Sequence, residues 1–117
     1  MIYNQFGYDE FFDESSYDTA DSKNMAEYGL MDKPFFEQSQ SLLETLPQPF
    51  YTKFITVAHH FPYKIDQDLV SIGKAKTGDT SVDNYFQTAR YADEAIEQFF
   101  TYLKESGLYE NTMIVMY

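Results

Sequence analysis

His59 and His60 are the only imidazoles in the chain, and they stand side by side in FITVAHHFPY, after a run of β-forming residues and just before a proline. Imidazole offers three kinds of chemistry: a metal ligand, a general acid or base, and a hydrogen-bond donor to an anionic oxygen. Metal binding by these two alone is disfavoured. A two-histidine chelate uses helical i, i+4 spacing or residues from separate elements, and there is no third histidine and no cysteine to complete a shell. Successive strand residues point to opposite faces, so at most one of the pair addresses a given centre. Two readings stay open: one imidazole packs beneath a helix while the other meets solvent, or one of them touches a substrate.

Other reactive patterns are weaker. Asp9, Glu10, Asp13, Glu14, Asp18 and Asp21 form an acidic run whose spacing imposes no metal geometry and reads as a solvated face. There is no G-x-S-x-G elbow and no phosphate-cradling glycine loop, and Gly73 and Gly78 flank an ordinary flexible turn.

The elements that must carry the histidines follow from periodicity and punctuation. Asp32 suits an N-cap and Pro34 a first helical turn, and Phe35, Phe36, Ser39, Leu42, Leu43 and Leu46 recur at helical spacing until Pro47 and Pro49. Residues 50–58, FYTKFITVA, are aromatic and β-branched and predict a buried strand. Residues 62–79 are polar and contain two glycines, which predicts a long surface loop. Thr80 or Ser81 then caps a helix over about 81–106 that ends at Gly107. Its core stripe is Val82, Tyr85, Phe86, Ala89, Ala92, Ile96, Phe99, Phe100 and Leu103. TMIVMY, residues 112–117, predicts a second strand. Strand, helix, strand is a βαβ unit with parallel strands, and ligands of open α/β sheets gather beyond the carboxyl ends of such strands, where the histidines fall. The first thirty residues read as short elements joined by loops.

Composition narrows the classes. With 117 residues, 44% of them hydrophobic, the chain can build one core, and the absence of cysteine excludes disulfides and thiolate metal sites. A net charge of -11 with scattered cations argues against a nucleic-acid partner. No apolar run approaches the roughly 20 residues of a membrane span, and the residues after Met1 do not make a signal peptide, so the chain by itself reads as soluble.

Taken in order, GYDEFF, YGLMDKPFF, FYTKFITVAHHFPY and DNYFQTARYADEAIEQFFTYLKESGLYENTMIVMY resemble the extracellular catalytic domain of the lipoteichoic acid synthase family, over essentially all 117 residues. That family belongs to the sulfatase and alkaline phosphatase-like superfamily. The resemblance implies an α/β fold, with residues 1–117 forming a single partial domain, an interior part of an α/β/α sandwich. It implies a phosphoglycerol transferase that moves glycerol phosphate from phosphatidylglycerol to a lipoteichoic acid-type polymer, at the extracellular face of the bacterial plasma membrane. Of the family's site residues one carries over: the histidine of its HFP motif, which contacts the glycerol phosphate, falls on His60, whereas His59 receives no role.

The resemblance also implies what this segment does not supply. The family's threonine nucleophile, its glutamate ligand and the Arg and Trp that grip the substrate belong before Met1. Its Gly-Asp-His metal motif belongs after Tyr117, and its membrane helices lie N-terminal to the domain. The expectation is therefore no catalytic residue and no metal ligand within these residues, a divalent manganese or magnesium ion in the complete domain, and a fragment that is inactive alone. Two other readings compete: a metal-dependent phosphatase or sulfatase of the same superfamily, and a non-catalytic acidic α/β binding module.

Overall fold

A computed structural model describes residues 5–117; the reading of Met1–Asn4 as lacking a targeting signal lies outside the described residues. Residues 5–30 form short elements, as expected. Single 3₁₀ turns at Glu14–Ser16 and Ser22–Asn24 lead into a two-stranded antiparallel hairpin, β1 (Met25–Ala26) and β2 (Gly29–Leu30), with Met25 opposite Leu30. Two helices follow, α1 (Asp32–Thr45) and α2 (Thr80–Glu105), packed on one another across the body of the molecule.

The N-caps of both helices lie about one residue before the expected ones. Asp79, not Thr80 or Ser81, caps α2: its carboxylate accepts from the N–H groups of Ser81 at 2.8 Å and Val82 at 3.2 Å. At the other end Gly107 takes φ 76°, where a β-carbon is unfavourable, and its N–H reaches the Lys104 carbonyl. For α1 the N-cap is Met31 and Asp32 is the first helical residue, because the Asp32 side chain serves a distant segment instead of its own helix.

The core has two parts. One is aromatic: Phe36 of α1 stacks on Phe99 of α2 with centroids 4.6 Å apart, and Phe54 wedges against both at 5.5 and 5.2 Å. The other joins Met31, Ala58 and Tyr91, with Ala26, Ile65 and Leu69 packed around them. Lys33 links the helices beside it, 2.8 Å from Glu94 and lying over the Tyr91 ring.

The first turns of α2 bury a different face from the one predicted. Val82, Tyr85 and Phe86 are exposed, while Asp83, Gln87, Thr88 and Tyr91 are buried. Periodicity ranks polar residues outward, but here the 67–77 loop satisfies Asp83 and Gln87, while the Thr88 hydroxyl donates to the Tyr85 carbonyl of its own helix. Asp83 accepts from the Thr77 N–H and hydroxyl, and Gln87 exchanges bonds with Gln67 and donates to the Ile72 carbonyl. In the second half of the helix Ala92, Phe99 and Leu103 face inward as expected, joined by Ala95.

The expected parallel pair, 50–58 with 112–117, is not formed as a ladder: among the described residues the hairpin holds the only strand pairing. β-propensity reports a side chain's fit to a pleated surface, and a ladder additionally needs a neighbour with matching free backbone groups. The two segments are nonetheless close, with Lys53 Nζ 5.7 Å over the Tyr117 ring, a contact near the start of the first segment and not at its histidine end. Residues 113–117 stand largely off the body, Met113 being 90% and Tyr117 98% exposed. The radius of gyration, 15.8 Å, correspondingly exceeds the roughly 13 Å of a compact chain of this length.

Candidate functional site

The extended run from Phe54 ends in two consecutive turns, and the histidines occupy them. The His60 N–H donates to the Val57 carbonyl at 3.1 Å, closing the first; the Tyr63 N–H donates to the His60 carbonyl at 2.9 Å, closing the second around a cis Phe61–Pro62 peptide. Tyr63 sits at φ 60°, a conformation that costs a residue with a β-carbon about 1–2 kcal/mol. Its ring offsets that cost by packing edge-on against Tyr85 at 5.3 Å and Phe61 at 5.8 Å.

The two imidazoles diverge, as the sequence predicts, although by turn geometry and not by strand alternation. His59 faces Tyr85 of α2 with centroids 6.5 Å apart. His60 turns the other way, edge-on to Tyr28 at the hairpin tip, with centroids 4.5 Å apart. Both are exposed, so the packed-beneath-a-helix alternative does not describe either.

His60 Nδ1 lies 2.8 Å from the Phe61 carbonyl oxygen. A carbonyl only accepts, so Nδ1 carries the proton, and in the neutral ring Nε2 is then an acceptor; Nε2 presents an N–H outward only when the ring is cationic. Beside His60 lies a cavity of about 10 Å³, lined by Tyr28, Val57, Ala58, His60, Pro62 and Lys64 among others. Lys64, paired with Glu27 at 3.4 Å, places a cation on the same wall. Patterning did not single out Tyr28 or Lys64; only the fold brings the hairpin tip to the turn.

Beneath this surface Asp32, 1% exposed, accepts from the N–H groups of Val57 at 2.9 Å and Ala58 at 3.0 Å, both on one oxygen. Burial pushes its carboxyl above the ordinary 3.8, opposed by those two N–H groups and by nearby His59.

The acidic run converges on nothing. Asp13 accepts from Ser15, Asp18 from the Ala20 N–H and Asp21 from the Lys23 N–H, each bonding its own neighbourhood. Among the described residues no three His, Asp or Glu side chains come together so as to hold a metal ion. A wider hollow of about 430 Å³ lies over Lys33, Arg90, Glu94, Glu97, Gln98 and Thr101. Its cations are already neutralised: Lys33 by Glu94, and Arg90 by Glu94 and Asp93, both at 3.0 Å.

The family model described as Sulfatase matches residues 2–117, and the chain belongs to that family. Its α/β class, which among the described residues shows two long helices with a small sheet, accords with the family. Among its relatives are three proteins with specific names. Lipoteichoic acid synthase 1 of Bacillus subtilis (strain 168) is 55% identical over 117 residues, and lipoteichoic acid synthase 2 of the same organism is 52% identical over 116. The lipoteichoic acid synthase of Staphylococcus aureus (strain NCTC 8325 / PS 47) is 44% identical over 117 residues. These matches cover 99–100% of this chain, which spans 18% of the length of each relative. No helix among the described residues is long and apolar enough to cross a membrane.

Proposed function

We propose that these residues form an interior part of the catalytic domain of a phosphoglycerol transferase, which moves glycerol phosphate from phosphatidylglycerol to a lipoteichoic acid-type polymer at the outer face of the bacterial plasma membrane. The observation that carries this reading is identity of 44–55% along the whole chain to proteins named lipoteichoic acid synthase.

In this reading the chain's contribution is electrostatic. His60, as an imidazolium, donates from Nε2 to a phosphate oxygen of the glycerol phosphate while Nδ1 stays anchored on Phe61. Lys64 lies beside it as a second cation, Glu27 being its counterion, and Tyr28 braces the ring. A divalent metal ion, manganese or magnesium, would neutralise phosphoryl charge in the complete domain; no residue of this chain is assigned to hold it.

The test is His60→Ala in the enzyme that contains this segment, read as glycerol phosphate transfer from a fluorescent phosphatidylglycerol and as binding of sn-glycerol 1-phosphate. A hydrogen bond to a charged group contributes about 1.5–3 kcal/mol, so affinity falls about 10- to 150-fold. Unchanged KM and kcat in the variant remove His60 from the site. Hydrolysis of a soluble phosphate or sulfate ester without transfer assigns the chain to a different branch of its family.

A further inference from the structure

We propose that Asp32 is the positioning residue of the histidine turn, fixing where the extended segment ends and thereby where His60 points. Along a regular strand consecutive N–H groups point to opposite sides. Here those of Val57 and Ala58 converge on a single Asp32 oxygen, which the backbone achieves only by leaving the extended conformation at that point. Consecutive N–H groups turned to one side make a concave anion-binding nest, and the buried carboxylate is the anion that fills it.

From there the bonds run in series. The Val57 carbonyl receives the His60 N–H, the His60 carbonyl receives the Tyr63 N–H, and His60 Nδ1 is held on the Phe61 carbonyl. Asp32 is itself fixed at the start of α1, where the helix dipole favours negative charge. The hairpin that ends just before it holds Tyr28 against the far side of the His60 ring. The turn is therefore held from below by a carboxylate and from the side by a tyrosine, both on the stretch 28–32.

This inference rests on the proposed function only for its consequence in phosphate binding; the positioning itself is read without ligand. The experiment compares the full chain with Asp32→Asn and Asp32→Ala by NMR, following the His60–Tyr28 ring contacts and the Val57 and Ala58 amides, with helix content checked by circular dichroism. Asparagine keeps a carbonyl oxygen for both N–H groups, so its ring contacts and amide protection persist. Alanine loses both, at a temperature where the helices are intact, and the His60 ring protons move to the shifts of a free, exposed histidine. A second arm measures sn-glycerol 1-phosphate binding in the enzyme containing this segment, where Asp32→Ala weakens affinity at least about 10-fold and Asp32→Asn recovers most of it.

Persistence of the His60–Tyr28 contacts in folded Asp32→Ala overturns the proposal, because a residue that merely stabilises the fold would shift the melting midpoint and leave the ring in place. Should the alanine variant not fold, the wild-type and asparagine chains decide the matter: Val57 and Ala58 amides that exchange like a free peptide overturn it equally. Ring contacts that respond as expected, with glycerol phosphate binding insensitive to all three side chains, uphold the positioning role and refute the proposed function instead.

Discussion

Phe36→Ala tests how the aromatic core supports the histidine segment. Phe36 is 7% exposed and stacked on Phe99, with Phe54, six residues before His60, wedged against both. Burying such a ring removes about 150 Å² of apolar surface from water, worth roughly 4 kcal/mol at about 25 cal/mol per Å². A realistically compact unfolded chain lowers this to about 3 kcal/mol, and losing the stacked pair with Phe99 adds about 1. The expected loss is thus about 3–4 kcal/mol, within the range for phenylalanine truncation in a core. Phe36→Leu, which nearly conserves volume, loses about 1–1.5 kcal/mol. In urea, with a slope of about 1.5 kcal/mol per molar, the alanine midpoint falls by about 2 M. The same variant frees Phe54, so the amides of residues 54–58 lose protection before those of α2. A loss below about 1 kcal/mol, or a leucine variant as damaging as alanine, refutes the account of the core as a ring stack that anchors the segment.

Two further expectations concern ionisation. Glu94 is held below the usual carboxylate range, first by its hydrogen bond from Lys33 and then by that from Ser71. Its contribution is present above the unfolded value of 4.5 and is lost as pH falls through the depressed folded value. Asp32, raised by burial, acts with the opposite sign, so the measure is the difference between wild type and Glu94→Gln in urea midpoints from pH 6 to pH 3; parallel curves for the two would count against the Glu94 cluster. Burial also pushes Tyr91 up to about 12, so ultraviolet titration of the wild type shows a late tyrosinate step that Tyr91→Phe removes, and its persistence in that variant would assign the step elsewhere.

Much of the frame was legible in the sequence, for identifiable reasons. Pro34, Pro47 and Gly107 bracket helices whose long periodic stretches are hard to misread, and the structure moves their ends by about one residue. The errors arise where tertiary partners outrank local pattern. Asp32 looks like a cap and is spent on Val57 and Ala58, and Asp83 and Gln87 look like surface and are buried because a loop receives them. FYTKFITVA and TMIVMY have strand composition, yet composition cannot supply a partner. As for the site, adjacency and the lack of helical spacing argued against chelation by His59 and His60 together, and only resemblance to a family distinguished His60. Tyr28, Lys64 and Asp32 meet the turn through hairpin and helix geometry that one-dimensional spacing does not encode.

The run from Thr112 to Tyr117 has a colloidal consequence. It contains no charged side chain, its residues favour β structure, and among the described residues its main chain is bound into no ladder. A second molecule can add to such a ribbon edge to edge, and what keeps copies apart is the repulsion of eleven net negative charges on each. That repulsion reaches about 30 Å in 10 mM salt but only about 8 Å at physiological ionic strength. Added salt, or acid that brings the pH toward the isoelectric point near 4.3, is therefore the condition under which concentrated samples of this chain would first stick together.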